Sequence, residues 1–218
     1  MSRFCSGATE TKDKQMLKRF FDILLSALGL ILLAPLLALL AMAIKKSSSG
    51  PVLYRGIRVG RGGKLFRMLK FRTMVTNAEA LGGSCTSDDD PRITSIGHRL
   101  RKYKLDELPQ LFNVLRGEMS FVGPRPEVQQ YVAMFSEEEK QILRVRPGIT
   151  DLATLWDSDE GALLAGSSDP ERTYLETIRP EKIRLQLEYV RQRSLLLDFR
   201  IVCSTVVLVL RRLKTARA

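Results

Sequence analysis

Residues 23–44 read ILLSALGLILLAPLLALLAMAI, with no charged side chain. As one continuous helix this run rises about 33 Å, enough to cross the core of a bilayer. A cleaved leader is a poor fit, because the apolar stretch is too long and Lys45 and Lys46 follow it directly. Pro35 stands near the middle, where its ring removes a backbone hydrogen bond and crowds the preceding turn. It divides the run into pieces of about 12 and 9 residues, each too short to cross alone. Lys12, Lys14, Lys18 and Arg19 precede the run, and Lys45 and Lys46 follow it. A simple span carries its basic residues asymmetrically, so two basic ends favour a bent, re-entrant helix that enters and leaves by one membrane face. A kinked ordinary span is the alternative, since proline is common in membrane helices.

From Ser47 onward the chain is soluble in character. After the short linker SSSGP, residues 52–74 alternate apolar and basic positions around the glycines of residues 60–63. Val52 and Tyr54, then Leu65, Met68 and Phe71, predict a strand, a turn and a second strand or short helix. The turn carries Arg55, Arg58, Arg61 and Lys64 but lacks the GK[ST] ending of a P-loop. Residues 136–143 and 170–189 read as amphipathic helices. Residues 195–213 mix a long apolar face with Asp198, Arg200, Arg211 and Arg212, which suits a core or interfacial helix better than a span.

A chain of 218 residues is long enough for one well-packed domain. Lysine and arginine outnumber the acids 35 to 24, so anionic partners are expected: nucleic acid, phosphorylated small molecules or an acidic lipid surface. His98 is the single histidine, which removes multi-histidine metal sites and most histidine-dependent proton relays. Cys5, Cys85 and Cys203 are scattered and form no CxxC pair, as expected of reduced thiols without a functional role.

Against this basic background, residues 104–126, KLDELPQLFNVLRGEMSFVGPRP, place Asp106 beside Glu107. A helix starting near Asp106 accommodates Pro109 in its first turn, gains an apolar stripe from Leu108, Leu111, Phe112 and Leu115, and ends at Gly117. The helix N-terminus would hold Asp106 ionised. Such a carboxylate can cap the helix, attack phosphorus or bind a metal, and capping leaves lone pairs for either chemistry. Arg99, Arg101, Lys102 and Lys104 crowd the approach, as suits a substrate with several negative charges. Arg125 sits between two prolines, and Arg144 and Arg146 precede a Pro-Gly turn. Arginine on a stiff loop is suited to bidentate phosphate contact. Asp88, Asp89 and Asp90 form an acidic run that reads as a solvated turn or a cation site.

Taken together, these segments resemble the small monotopic phosphoglycosyl transferases, bacterial sugar transferases that start glycan assembly on a polyprenyl phosphate. The matching pieces are the proline-broken helix after KRFFD, the RxGxxGKxFxxxKFRTM block of residues 58–74, and DPRIT at 90–94. They continue through LRKYKLDELPQLFNVLRGEMSFVGPRPE and RPGIT at 146–150. The resemblance implies a mostly helical α/β fold. Residues 1–46 would form the N-terminal amphipathic segment and re-entrant helix, with the kink at Pro35. Residues 47–218 would form a cytosolic catalytic domain with interfacial amphipathic helices and a small β-hairpin. It also implies a monotopic enzyme of the bacterial inner membrane, with its active site facing the cytoplasm.

The chemistry the resemblance implies has two steps. Asp106 attacks the β-phosphate of a UDP-sugar, releases UMP and holds the phosphosugar, which then passes to undecaprenyl phosphate. Glu107 would bind Mg²⁺, and Arg101 would face the lipid phosphate. Arg125 and Arg146 would bind the donor diphosphate or the transferred phosphoryl group, and Lys70 and Arg72 would lie near the site. No nucleic-acid partner is expected, and a homodimer is left open. The chain departs from the family pattern after RPGIT, where ITDLATLWDSDEG lacks the frequent glycine and glutamine, so residues 151–169 are expected to shape a different sugar pocket or to pack differently. Arg55 also replaces a frequent glutamine, and Ala34 a serine seen before the proline. The rivals are a membrane-anchored basic binding module, which leaves the carboxylate pair unexplained, and a metal-dependent phosphatase using the same carboxylates.

Overall fold

The computed structural model describes residues 3–82, 86–157 and 160–215; Cys85 and residues 158–159 of the divergent segment lie outside them. Helix α1 (Arg3–Ser47) holds the apolar run and continues through Pro35. The expected hairpin follows as antiparallel β1 (Leu53–Val59) and β2 (Leu65–Phe71), joined by a 3-10 turn at Arg61–Gly63. Helices α2 (Ala78–Leu81) and α3 (Ser95–Lys102) lead to a 3-10 turn, Leu105–Glu107, then α4 (Gln110–Arg116), β3 (Ser120–Val122) and α5 (Gln129–Val132). A 3-10 helix at Glu139–Arg144 replaces the first predicted amphipathic helix. Next come β4 (Gly148–Thr150), α6 (Leu152–Trp156), α7 (Glu160–Leu164) and α8 (Pro170–Thr173). A π-helical turn at Tyr174–Ile178 joins α8 to α9 (Arg179–Gln192), and α10 (Leu195–Thr215) ends the fold.

Strands β3 and β4 form a short parallel pair, with Ser120 opposite Gly148 and Val122 opposite Thr150. This ladder joins the two proline-framed motifs, GPRP and RPGIT, backbone to backbone. A Cβ on Gly123 would stand 2.3 Å from the Arg146 carbonyl oxygen, and one on Gly148 would stand 2.1 Å from Gly123 N. Only glycine allows such an approach at both positions.

Helix α4 differs from the sequence expectation in its start and in its buried face. It begins at Gln110, with Pro109 at its N-cap, and ends at Gly117 in the left-handed region (φ 83°). Gln110, Leu111, Asn113 and Val114 face inward, whereas Phe112 and Leu115 are exposed. The reason is Asn113, whose Nδ2 donates to Arg67 O at 2.8 Å and whose Oδ1 accepts from Leu69 N at 2.9 Å. These bonds satisfy the buried amide and dock α4 on β2, where Val114 and Met119 pack against Phe66 and Met68.

Both ends of the apolar run of α1 touch the same folded unit. Near its start, Arg19 donates to the carbonyl oxygens of Val114 (2.6 Å) and Leu115 (2.9 Å). Asp22 accepts from Ser120 Oγ and Phe121 N, both at 3.1 Å, and Lys18 pairs with Asp198. At its end, Ile44 packs with Phe71 and Leu100, supported by Leu37, Leu40 and Ala41. Between them, a Cβ on Gly29 would lie 3.3 Å from a Leu111 methyl. Most of the run is nonetheless bare: residues 13–47 form the one helix among the described residues that is long and apolar enough to cross a membrane, with 6% of its most apolar window buried.

Candidate active site

A cavity of about 1680 Å³ opens between the hairpin, α3, the Leu105–Glu107 turn, α6 and α9, and Lys70, Arg101, Asp106, Glu107 and Arg125 all line it. The geometry begins at the end of α3. Lys104 adopts a left-handed conformation (φ 55°, ψ 22°), alone among the described non-glycine residues in having positive φ. It turns the chain into the Leu105–Glu107 turn at a backbone cost of about 1 kcal/mol. That turn places both carboxylates beside Lys70 of β2.

Lys70 Nζ lies 2.8 Å from Glu107 Oε1 and 3.9 Å from Asp106 Oδ2. Arg125 grips Glu107 from the other side, Nη2 to Oε1 at 2.6 Å and Nη1 to Oε2 at 3.4 Å. Asp106 is 5% exposed, and its Oδ1 has no hydrogen-bond partner. It caps nothing, because Pro109 holds the N-cap of α4.

The two acids are therefore tuned apart. Burial pushes the Asp106 carboxyl up, with Lys70 opposing and the Glu107 charge adding to the rise. Burial also acts against Glu107, but Arg125 and Lys70 outweigh it and hold that carboxyl well below the usual range. Asp106 is thus not held ionised by a helix N-terminus as the sequence suggested: burial prevails, and Lys70, with Lys104 and Arg101, only opposes it. Burial depresses the Lys70 ammonium, Glu107 opposing.

The remaining predicted residues divide. Arg101 lines the cavity, and its charge favours ionised Asp106. Arg72 also borders it, but its guanidinium is bonded to the linker: Nη1 to Ser49 O at 2.5 Å, Nη2 to Ser48 O at 2.9 Å and to Ser48 Oγ at 2.8 Å. Arg146 is not brought to the cavity wall; its Nε donates to Gly117 O at 2.9 Å, near Arg19 and Arg61. Asp151, the first divergent residue after RPGIT, is a bracket. Its Oδ1 caps α6 through Thr154 N at 2.7 Å, and its Oδ2 accepts from Arg125 N at 3.2 Å.

Residues 13–212 match the family model described as "Bacterial sugar transferase". The chain belongs to the bacterial sugar transferase family. It is 42% identical over 196 residues to "Undecaprenyl-phosphate glucose phosphotransferase" of Komagataeibacter xylinus, covering 87% of this chain and 35% of that protein. It is 38% identical over 193 residues to "UDP-N-acetylgalactosamine-undecaprenyl-phosphate N-acetylgalactosaminephosphotransferase" of Aeromonas hydrophila, covering 87% and 43%. With "Exopolysaccharide production protein ExoY" of Sinorhizobium fredii the identity is 36% over 204 residues, covering 87% and 83%. The sugar transferase thus spans about a third of the first relative, less than half of the second and most of the third.

Among the described residues of this sugar transferase, no group of three or more His, Cys, Asp or Glu side chains is placed to hold a metal. The orphaned Oδ1 of Asp106 and the loosely bonded Oε2 of Glu107 are the carboxylate oxygens with capacity to spare. That donor set fits Mg²⁺, which commonly takes one or two carboxylates and completes its shell with phosphates and water.

A second polar group on the cavity wall was not foreseen. Tyr174 Oη donates to Glu127 Oε1 at 3.0 Å, and Lys182 Nζ lies 3.3 Å from Tyr174 Oη and 3.7 Å from Glu127 Oε1. A signal existed: Lys182 and Gln186 interrupt the apolar face of α9 one turn apart, and both are buried.

Proposed function

We propose that this chain transfers a phosphosugar from a UDP-sugar to a polyprenyl phosphate, the first membrane step in building a bacterial glycan. The observation that carries the reading is Asp106, a buried carboxylate with an unpartnered oxygen, facing a large cavity beside Lys70, Glu107, Arg125 and Arg101. An Asp106 oxygen attacks the β-phosphorus of the donor, and the bond from that phosphorus to the bridging oxygen breaks. UMP leaves with the electron pair. A phosphate oxygen of the lipid then attacks the same phosphorus, breaks its bond to Asp106 and restores the carboxylate. Attack by an anion on a dianionic diphosphate is repulsive, and Lys70, Arg101 and Arg125 offset this. Glu107 holds Lys70 and Arg125 in place. Glu107, beside Asp106, would hold Mg²⁺, which would supply charge neutralisation for the diphosphate and its leaving phosphate.

The contacts of α1 support a membrane arrangement. A helix from Asp22 to Ile44 rises about 33 Å, yet both ends rest on one folded unit. This supports a re-entrant helix that dips into the cytoplasmic leaflet. The exposed apolar side chains of α1, Phe112 and Leu115 of α4, and Phe199, Val206 and Leu210 of α10 would face lipid.

The decisive test measures UMP release by detergent-purified protein with Mg²⁺, undecaprenyl phosphate and a panel of UDP-sugars, beside Asp106→Asn. Release that requires Asp106, and that continues beyond one turnover only with the lipid, is expected. Phosphate release to water without lipid would indicate a hydrolase instead.

A further inference from the structure

We infer that Glu127, Tyr174 and Lys182 form the subsite that recognises the hydroxyl pattern of the transferred sugar, and so set which sugar is used. The inference rests on the transferase reading above. Arg125 and Glu127 flank Pro126, so their Cα atoms lie no more than about 7 Å apart, and both line the cavity. In the donor, the sugar is bonded directly to the phosphorus under attack, whereas the uracil lies beyond a second phosphate and a ribose. A group one short step from the phosphate-binding arginine therefore meets the sugar ring.

The chemistry of the group agrees. A carboxylate, a phenol and an ammonium within 3.0–3.7 Å of one another offer acceptors and donors together, as hydroxyl recognition requires. A nucleobase is a poorer occupant. Tyr131 and Tyr174 are stacked on each other with ring centroids 5.2 Å apart, so no further ring inserts between them. The buried Lys182–Glu127 pair also joins α9 to the PRP segment, and a purely structural role would slow every donor alike.

The test compares wild type with Lys182→Met, Glu127→Gln and Tyr174→Phe in kcat/KM for UDP-glucose, UDP-galactose, UDP-N-acetylglucosamine and UDP-N-acetylgalactosamine. Inhibition by UMP and thermal melting are measured alongside. Loss of one sugar contact is expected to change the ratio between the preferred donor and its competitors by roughly ten- to a hundredfold, with the UMP inhibition constant within about twofold of wild type. Tyr174→Phe keeps the ring and reports if the charged variants do not fold. Equal slowing of all four donors, or no slowing, overturns the subsite while leaving the transferase intact. No lipid-dependent UMP release from wild type with any donor overturns the transferase reading and the subsite with it.

Discussion

Replacing Lys70 by methionine removes a cation that contacts both carboxylates while keeping an unbranched chain in the same space. At 3.9 Å from Asp106 Oδ2, and with an effective dielectric of about 20, the lost attraction is roughly 4 kcal/mol before any relaxation. Burial already raises the Asp106 carboxyl, and Lys70 is the largest influence opposing that rise. In the proposed mechanism the ionised form is the nucleophile, so the acid limb of the rate profile follows Asp106. Removing Lys70 must shift that limb to higher pH. If solvent and Arg125 replace two-thirds of the lost attraction, about 1.4 kcal/mol remains, which is about one pH unit. Arg125 still grips Glu107 at 2.6 Å, so that acid is not left unpaired and the fold should survive with a lowered melting temperature. The assay is single-turnover UMP release without lipid acceptor between pH 5 and pH 9 (roughly the range over which the fold should hold). A uniform loss of rate with an unmoved acid limb would show that Lys70 acts on the phosphate alone, and would refute the coupling argued here.

Asp106→Asn should lower UMP release by at least about 10³-fold and raise the melting temperature. Since its folded carboxyl sits above the ordinary value, the ionised group weakens folding at neutral pH and asparagine does not. Retained turnover would remove Asp106 from the nucleophile role. Glu107→Gln should move the Mg²⁺ titration to higher concentration and lower the rate sharply, so an unchanged titration would dissociate Glu107 from the metal. Asp151→Ala should destabilise the protein by about 1–2 kcal/mol through the lost α6 cap and raise the KM for donor by freeing Arg125; an unaltered KM would confine Asp151 to the cap. Single cysteines replacing Lys14 and Lys46, in a background lacking the native three, should react with an impermeant maleimide from the same membrane side. Labelling from opposite sides would refute the re-entrant reading.

The hairpin, the cap at Gly117 and the carboxylate pair were legible in the sequence because each is encoded locally, by alternation, glycine or adjacency. The β3–β4 pair was not, since three residues per strand give periodicity nothing to work on and the pairing spans 28 residues of chain between Ser120 and Gly148. The α4 stripe misled for a physical reason: Asn113 and Gln110 face inward while Phe112 and Leu115 face out, inverting the pattern of a water-exposed helix. Arg72 was expected near the site and Arg146 at the donor phosphates, but what holds their guanidinium groups is not visible in a sequence. Their partners, the carbonyls of Ser48, Ser49 and Gly117, are set by tertiary packing. The Glu127–Lys182 contact joins residues 55 positions apart and has no local signature.

That inversion in α4 also bears on where the chemistry occurs. Helix α4 lies along α1, held by Arg19 on its terminal carbonyls and by the close approach of Gly29 to Leu111. Its outward side chains, Phe112 and Leu115, are exposed, as is most of the apolar run of α1. Asp106 stands six residues before Phe112, a rise of no more than about 12 Å even in the tighter 3-10 geometry. If these exposed side chains sit in lipid, the nucleophile lies near headgroup level, where the phosphate of a polyprenyl phosphate resides. In the proposed reaction the acceptor would then reach Asp106 without leaving the leaflet, while the soluble donor would enter from the water-facing side of the cavity. Depth of the active site is on this view a property of the α1–α4 contact, and charge placed at Phe112 or Leu115 would impair use of the lipid acceptor more than formation of the Asp106 adduct.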